Sequence, residues 1–220
     1  MARKKRQTRS RVLEYNKNMI LPTWSEEKKL WRTGYQHIAG LDEAGRGAWA
    51  GPIVAASVIL PPRIRLEGLR DSKQLSPGQR EKLFSAIAKV AISWSVGIVS
   101  HRLIDRKGIG PANILAMVLA IKKLSVAPDY LLIDALKFDY PLPRQAIVRG
   151  DQKVFSIAAA SILAKVTRDR ILISQHGKLP QYDFHLHKGY GTKHHLALIK
   201  KHGVSQFHRK SFYPMKQLIV

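Results

Sequence analysis

The spacing of apolar and polar positions divides the chain into strand-like and helix-like stretches from about residue 22 onward. Ile53-Val54-Ala55-Ala56-Ser57-Val58-Ile59-Leu60 is apolar or small almost throughout and rich in β-branched residues. That is the pattern of a strand covered on both faces, and Pro61-Pro62 ends it. Residues 130–134, Tyr-Leu-Leu-Ile-Asp, form a second buried strand that closes on a carboxylate. A short strand is expected over residues 37–41, and another over 145–149. Residues 91–99 alternate (Ile92, Trp94, Val96, Ile98), which predicts a strand with one apolar face. Helical spacing lies between these runs. Thr23 or Ser25 caps a short helix through Glu26, Glu27, Leu30 and Trp31, stopped by Gly34. Ser76-Pro77-Gly78-Gln79 is a capping box with proline in the first turn, opening a helix to about Val90 that buries Leu83, Ile87 and Val90. After a short segment at 102–107, Gly108 and Gly110 break the chain. An amphipathic helix follows over 111–124, with Ile114, Leu115, Val118, Ile121 and Leu124 as its apolar stripe. The stretch 154–173 is helical, small and apolar along much of its length, as suits close packing on a sheet. No internal repeat is present. The order of elements predicts an α/β fold, a mixed sheet flanked by helices, with a helical C-terminal extension over about 176–220.

Composition changes this picture in one respect. The chain has 220 residues and 45% hydrophobic content, enough for one domain with a real core. Its 38 Lys and Arg outnumber 15 Asp and Glu, giving a net charge of +23 and a pI near 10.5. Such a balance points to a polyanionic partner, nucleic acid first. There is no cysteine, which excludes disulfides, thiolate catalysis and cysteine-bound zinc and fits a cytoplasmic protein. No run approaches the about 18 apolar residues of a spanning helix, and no amphipathic stretch argues for a membrane surface. Residues 1–20, which open on Arg3, Lys4, Lys5, Arg6, Arg9 and Arg11 with no acid before Glu14, are expected to be a flexible basic tail, separate from a single domain over 21–220. Such a tail serves either as a nucleic-acid arm or as a solvated extension.

The acids are few, so their positions are informative. Asp42 and Glu43 fall at the end of one expected strand, beside Gly45-Arg46-Gly47. Asp134 ends another, and Asp151 precedes the long helix. Strand ends of an α/β sheet are where sites collect. Carboxylates gathered there would repel one another unless cations sat among them. Hard oxygen ligands suit Mg²⁺ or Mn²⁺, and a pair of such ions can clamp a phosphodiester and activate water. Spacing alone leaves a plainer reading open: Asp151 as a helix cap, Asp134 at a turn, Asp42 and Glu43 as polar residues at a strand exit. Adjacent strand residues also face opposite ways, so both can face one ion only where the strand has ended. The glycines Gly45, Gly47 and Gly51 fail as a dinucleotide fingerprint, because the last gap is too long and a strand follows. His185, His187, His194 and His195 read better as surface or local packing than as a zinc site.

The carboxylates and their surroundings resemble type 2 ribonuclease H (ribonuclease HII) from about residue 37 to 214. The matching blocks are Gly40-Leu41-Asp42-Glu43-Ala44-Gly45-Arg46-Gly47 with Gly51-Pro52, Asp71-Ser72-Lys73-Gln74-Leu75-Ser76, Leu132-Ile133-Asp134, Gly150-Asp151 with Ile157 to Asp169, His187-Lys188-Gly189-Tyr190-Gly191-Thr192, and His208-Arg209-Lys210-Ser211-Phe212. The Gly-Arg-Gly element favours this type over the related type 3 enzymes. The resemblance implies a ribonuclease H-like fold and Asp42, Glu43, Asp134 and Asp151 as catalytic, metal-binding carboxylates for Mn²⁺ or Mg²⁺. It implies as substrates RNA–DNA hybrid and duplex DNA containing single ribonucleotides, cut to 3′-hydroxyl and 5′-phosphate ends, with the enzyme acting as a monomer. Within that frame, Gly45-Arg46-Gly47 can bring backbone close to the 2′-hydroxyl, the one local difference between RNA and DNA strands. Tyr190 offers a flat ring to the neighbouring deoxyribose, and Arg46, Ser72 and Lys73 are candidates for phosphate contacts. Asp169, four residues after Lys165, either pairs with it along the helix or supports the site from behind. The rival functions are a non-catalytic basic nucleic-acid-binding protein and a ribonuclease H-like nuclease acting on DNA.

Overall fold

The computed structural model describes residues 21–219, so the basic tail at 1–20 lies outside the described residues. A five-stranded mixed sheet has the order β3-β2-β1-β4-β5. Its strands are β1 (Ile38–Ala44), β2 (Ile53–Ile59), β3 (Ser93–Val99), β4 (Tyr130–Asp134) and β5 (Arg144–Ile147). The β2 strand runs antiparallel to both β1 and β3, while β4 is parallel to both β1 and β5. The helices are α1 (Ser25–Arg32), α2 (Pro77–Val90), α3 (His101–Lys107), α4 (Ile109–Lys122), α5 (Gly150–Lys153), α6 (Phe155–His176), α7 (Phe184–His187), α8 (Lys193–His202) and α9 (Met215–Leu218). No described helix is long and apolar enough to cross a membrane.

Each sheet face carries its own core, as the expected burial of β2 on both sides requires. One face packs Ala44, Ala56 and Val58 against apolar residues of α6 (Ala158, Ala159, Ile162, Leu163) and against Leu83 and Ile87 of α2. The other packs Ala39, Leu41, Ile53, Ala55 and Ile59 against α4. The capping box of α2 is present: Ser76 Oγ accepts from Gln79 N–H at 3.3 Å, and Gln79 Oε1 accepts from Ser76 N–H at 2.9 Å. Glu27 on α1 is buried instead of solvated. It accepts from the Ser156 amide and hydroxyl, each at 2.8 Å, and ties α1 to the start of α6.

Two helix and strand faces differ from the expected ones, for a shared reason. The buried stripe of α4 is Ala112, Asn113, Ala116, Met117, Ala120 and Ile121, while Leu115 stays 38% exposed. On β3, the fully covered face is Ser93, Ser95, Gly97 and Val99. Trp94 is half-covered beneath Phe84, and Ile98 is exposed. Small residues on both partners let α4 lie almost on the strand: a Cβ built on Gly97 would sit 1.9 Å from the Ala116 carbonyl oxygen. Close approach was chosen over large apolar volume, and hydrophobicity patterns do not register that choice.

The C-terminal extension folds back on the loop between β1 and β2. Its small core is Tyr182, Phe184 and Leu172 around Ala50. Of the histidines, His187 and His195 stack at 3.9 Å between ring centroids, and His195 Nε2 lies 3.0 Å from His208 Nε2. Burial pushes His195 down to about 3 and His208 down to about 4, so both rings are neutral at physiological pH.

Replacing Gly97 by valine is expected to cost about 3 kcal/mol or more, because a branched side chain must displace α4 backbone. Urea denaturation with β3 and α4 otherwise unchanged measures this.

Candidate active site

The register of β1 and β4 builds the site. Gly40 pairs with Leu132 and Leu41 with Ile133, so one step further along both strands places Asp42 beside Asp134 on the face covered by α6. The chain after β5 makes the single turn α5, whose first turn carries Asp151. Asp151 does not cap the long helix: the residue at the N-cap of α6 is Val154, and no side chain caps it. Asp42, Asp134 and Asp151 each present a carboxylate oxygen within 4.8 Å of the others. The Gly150 amide donates to Asp134 Oδ1 at 2.7 Å, and Lys73 Nζ lies 3.3 Å from Asp151 Oδ2.

The end of β1 lies later than the sequence predicts. The strand was expected to end before the acids, but β1 pairs with β2 as far as Ala44 opposite Val54. Hydrogen bonding continues through both residues, so Glu43 points away from Asp42, toward Asn113 of α4, and stands outside the three-aspartate group. It still lines the same cavity, close to Asp134 and Arg46. Its Oε2 is buried with no partner, and so are both polar atoms of the Asn113 amide.

The electrostatics are those of acids held together in a dry place. Burial first, then the charges of Glu43, Asp134 and Asp151, hold Asp42 well above the usual carboxylate range. Burial and the Asp151 charge raise Asp134, against the opposing Gly150 amide. Burial also raises Glu43, opposed by the neighbouring Asn113 amide and by Arg46, while the Asp134 charge adds to it. For Lys73, burial works against the charge, but Asp151 and Asp71 outweigh it and raise the pKa. Three aspartates that each offer an oxygen within 4.8 Å of the others, and whose charges oppose one another, fit hard divalent cations.

The residues singled out for substrate contact converge on the same place. A cavity of about 450 Å³ is lined by the acids, Gly45-Arg46-Gly47, Ser72, Lys73 and Tyr190. Asp71 fixes the Ser72-Lys73 turn by accepting from the Lys73 amide at 2.9 Å, and Ser72 Oγ lies 3.2 Å from Ser161 Oγ. The ring of Tyr190 has Lys165 Nζ and the Arg168 guanidinium each 5.1 Å from its centre. Asp169 pairs with Lys165 at 2.8 Å and lies 3.8 Å from Arg80, and it is not part of the aspartate group.

Sequence reasoning passed over Arg168 and Arg209 as functional residues. Both are fully buried. Arg168 donates to the carbonyls of Pro52 (3.0 Å), Ala50 (2.9 Å) and Lys188 (2.9 Å). Arg209 donates to Gly51 and Arg46, both at 3.0 Å. Between them they fix the loop that presents Gly45-Arg46-Gly47. Gly45 has φ +95°, and a Cβ there would lie 2.0 Å from Arg168 Nε, so the clamp also requires the glycine. The available signal was their place inside the matching blocks around Thr167-Arg168-Asp169 and His208-Arg209-Lys210. Ser161 and Lys165 were likewise unassigned, and both line the cavity.

Comparison with known proteins agrees with this geometry. The family model for ribonuclease HII matches residues 39–215. The ribonuclease HII of Dehalococcoides mccartyi is 50% identical over 203 residues, covering 90% of this chain and 96% of that protein. That of Halalkalibacterium halodurans is 50% identical over 191 residues, covering 87% and 73%. Among solved structures, the ribonuclease H2 of Pyrococcus horikoshii matches with a TM-score of 0.71 at 28% identity, covering 83% of this chain and 97% of that one. A ribonuclease HIII solved with Mn²⁺ shares the fold at 18% identity and a TM-score of 0.66. The chain belongs to the ribonuclease HII family.

The raised carboxylates make a stability prediction with a definite sign. A group whose folded pKa exceeds its unfolded value contributes stability at acid pH that is lost as pH rises through the folded value. In metal-free protein at pH 8, Asp42→Asn is therefore expected to raise stability by about 1–2 kcal/mol, with the gain shrinking toward pH 5 and on adding Mn²⁺. Thermal melts of both proteins at the two pH values, with and without the ion, measure it.

Proposed function

We propose that this member of the ribonuclease HII family hydrolyses the RNA strand of RNA–DNA hybrids and incises duplex DNA on the 5′ side of a single embedded ribonucleotide, leaving 3′-hydroxyl and 5′-phosphate ends. The observation that carries this reading is the sharing of one cavity by the three aspartates and the Gly45-Arg46-Gly47 turn. An element able to approach a sugar hydroxyl then stands next to the groups that cut.

Asp42, Asp134 and Asp151, with Glu43 at the rim, would hold Mn²⁺ or Mg²⁺. When bound, two such cations supply an acidified water and neutralise charge on the leaving 3′-oxygen. The chain's own residues do the rest. The backbone at Gly45-Arg46-Gly47 reads the 2′-hydroxyl by hydrogen bonding, which a deoxyribose cannot offer. Tyr190 places its ring against the next sugar, where a second 2′-hydroxyl would crowd it. Arg46, Ser72 and Lys73 hold phosphates and set the register of the strand without reading base sequence. Lys73, drawn toward Asp151 at 3.3 Å, links the phosphate grip to the acids. The net charge of +23 supports attraction of the duplex, with the salt sensitivity such binding carries. We place the enzyme in the cytoplasm as a monomer engaged in ribonucleotide removal.

The test is a duplex containing one ribonucleotide, with Mg²⁺ or Mn²⁺. Incision 5′ of the ribonucleotide is expected, with the all-DNA duplex intact and Asp134→Asn slower by roughly 100-fold or more. Equal cutting of the all-DNA duplex, or full activity in Asp134→Asn, contradicts the proposal. Binding without any cutting would make the chain a nucleic-acid-binding protein only.

A further inference from the structure

Outside the catalytic cavity, side chains from two adjoining segments meet at the far end of α6. His176 lies in the last turn of that helix. Asp183 and His185 come from the turn leading into α7 and from α7 itself. The two imidazoles are in contact, with ring centroids 3.9 Å apart. Each has a buried Nδ1 without a hydrogen-bond partner. Asp183 Oδ1 lies 4.0 Å from His185 Nδ1, and one ligand atom from each of the three residues lies within 4.8 Å of the others. His194, at the start of α8, approaches from outside and bonds Asp183 Oδ2 at 2.9 Å.

We propose that His176, Asp183 and His185 form a second metal site, for one divalent transition-metal ion of borderline softness such as Zn²⁺. Buried polar nitrogens are normally satisfied, and two unpartnered ones on imidazoles in contact call for a shared partner. A cation on the ring nitrogens would satisfy both at once, whereas protonating both would place like charges in contact. Two imidazoles and one carboxylate suit zinc, nickel or copper, not the all-oxygen preference of Mg²⁺. The hydrogen bond from His194 would orient the ligating carboxylate, as outer partners of metal sites do. Access is open, since the Asp183 and His185 side chains are about a third exposed. Histidine spacing in the sequence reads as surface or local packing, and for His187 and His195 the structure agrees. His187 and His195 are absorbed into the core of the extension, while His185 finds its partner on α6. An ion here would pin the end of α6 to α7 and, through His194, to α8. These are the segments that bracket the turn carrying Tyr190, so the ion would act as a brace for that turn and take no part in cutting.

The test uses the full chain carrying Asp134→Asn, to weaken the catalytic carboxylates, titrated with Zn²⁺ in the presence of excess Mg²⁺. One equivalent is expected to bind at about 1 μM or tighter. The thermal midpoint should rise by roughly 5–10 °C at hundredfold excess over Kd. The imidazole proton resonances of His176 and His185 should shift together, and the bound equivalent should vanish in His185→Ala and in His176→Phe. In the protein with Asp134 intact, the same histidine resonances should respond to the same first equivalent. Stoichiometry unchanged in both histidine variants, or zinc binding that excess Mg²⁺ abolishes, overturns the proposal.

Discussion

Two buried guanidinium groups hold this structure's working surface in place. Arg168, from the long helix, and Arg209, from the C-terminal segment, are removed from water and met by main-chain carbonyls of residues 46–52 and of Lys188. Charges in such surroundings are costly unless they are hydrogen-bonded, so the carbonyls that meet them have little freedom to move away. Burial and the neighbouring Arg168 push Arg209 down to about 9, which leaves it charged at neutral pH. One of its donors, Nη2, has no partner. The loop after β1, the end of α6 and the extension are thereby one mechanical unit, reinforced by Trp49 N–H donating to Gly189 and Arg209 N–H to Trp49.

The acids present the opposite situation. Asp42, Asp134 and Asp151 are fixed by strand register and a helical turn, elements that cannot relax apart to relieve repulsion. The sheet therefore stores an electrostatic cost that cations remove, and residues 45–47 continue directly from the strand that carries Asp42. Rigid clamps on the loop and rigid strands beneath the acids give the two elements a fixed relative position. In the proposed function that is what ties ribose recognition to the phosphodiester being cut.

Much of this was readable from the chain, and the failures have physical causes. Uninterrupted apolar runs marked β2 and β4, and the Ser76–Gln79 capping box marked the start of α2, because those signals are local. The end of β1 was misplaced because polar residues at a strand's end look like a loop, although pairing with β2 continues through them. The buried faces of α4 and β3 were misread because alanine, serine and glycine packed at close range carry little hydrophobic signal. The residues chosen as site candidates do share one cavity. The arginines that position them were missed, since an arginine that bonds only to carbonyls has no acidic partner for sequence spacing to reveal.

The claim that the clamp fixes recognition relative to cutting is tested most directly by Arg209→Lys, which keeps a charge but cannot reach two carbonyls at once. The measurement is the single-turnover rate of incision at one embedded ribonucleotide, taken alongside the thermal shift caused by Mn²⁺. The account predicts an unchanged Mn²⁺ shift, because the aspartates sit on other elements, with incision slowed by about 10-fold or more. Incision at the unsubstituted rate with the lysine in place would contradict it.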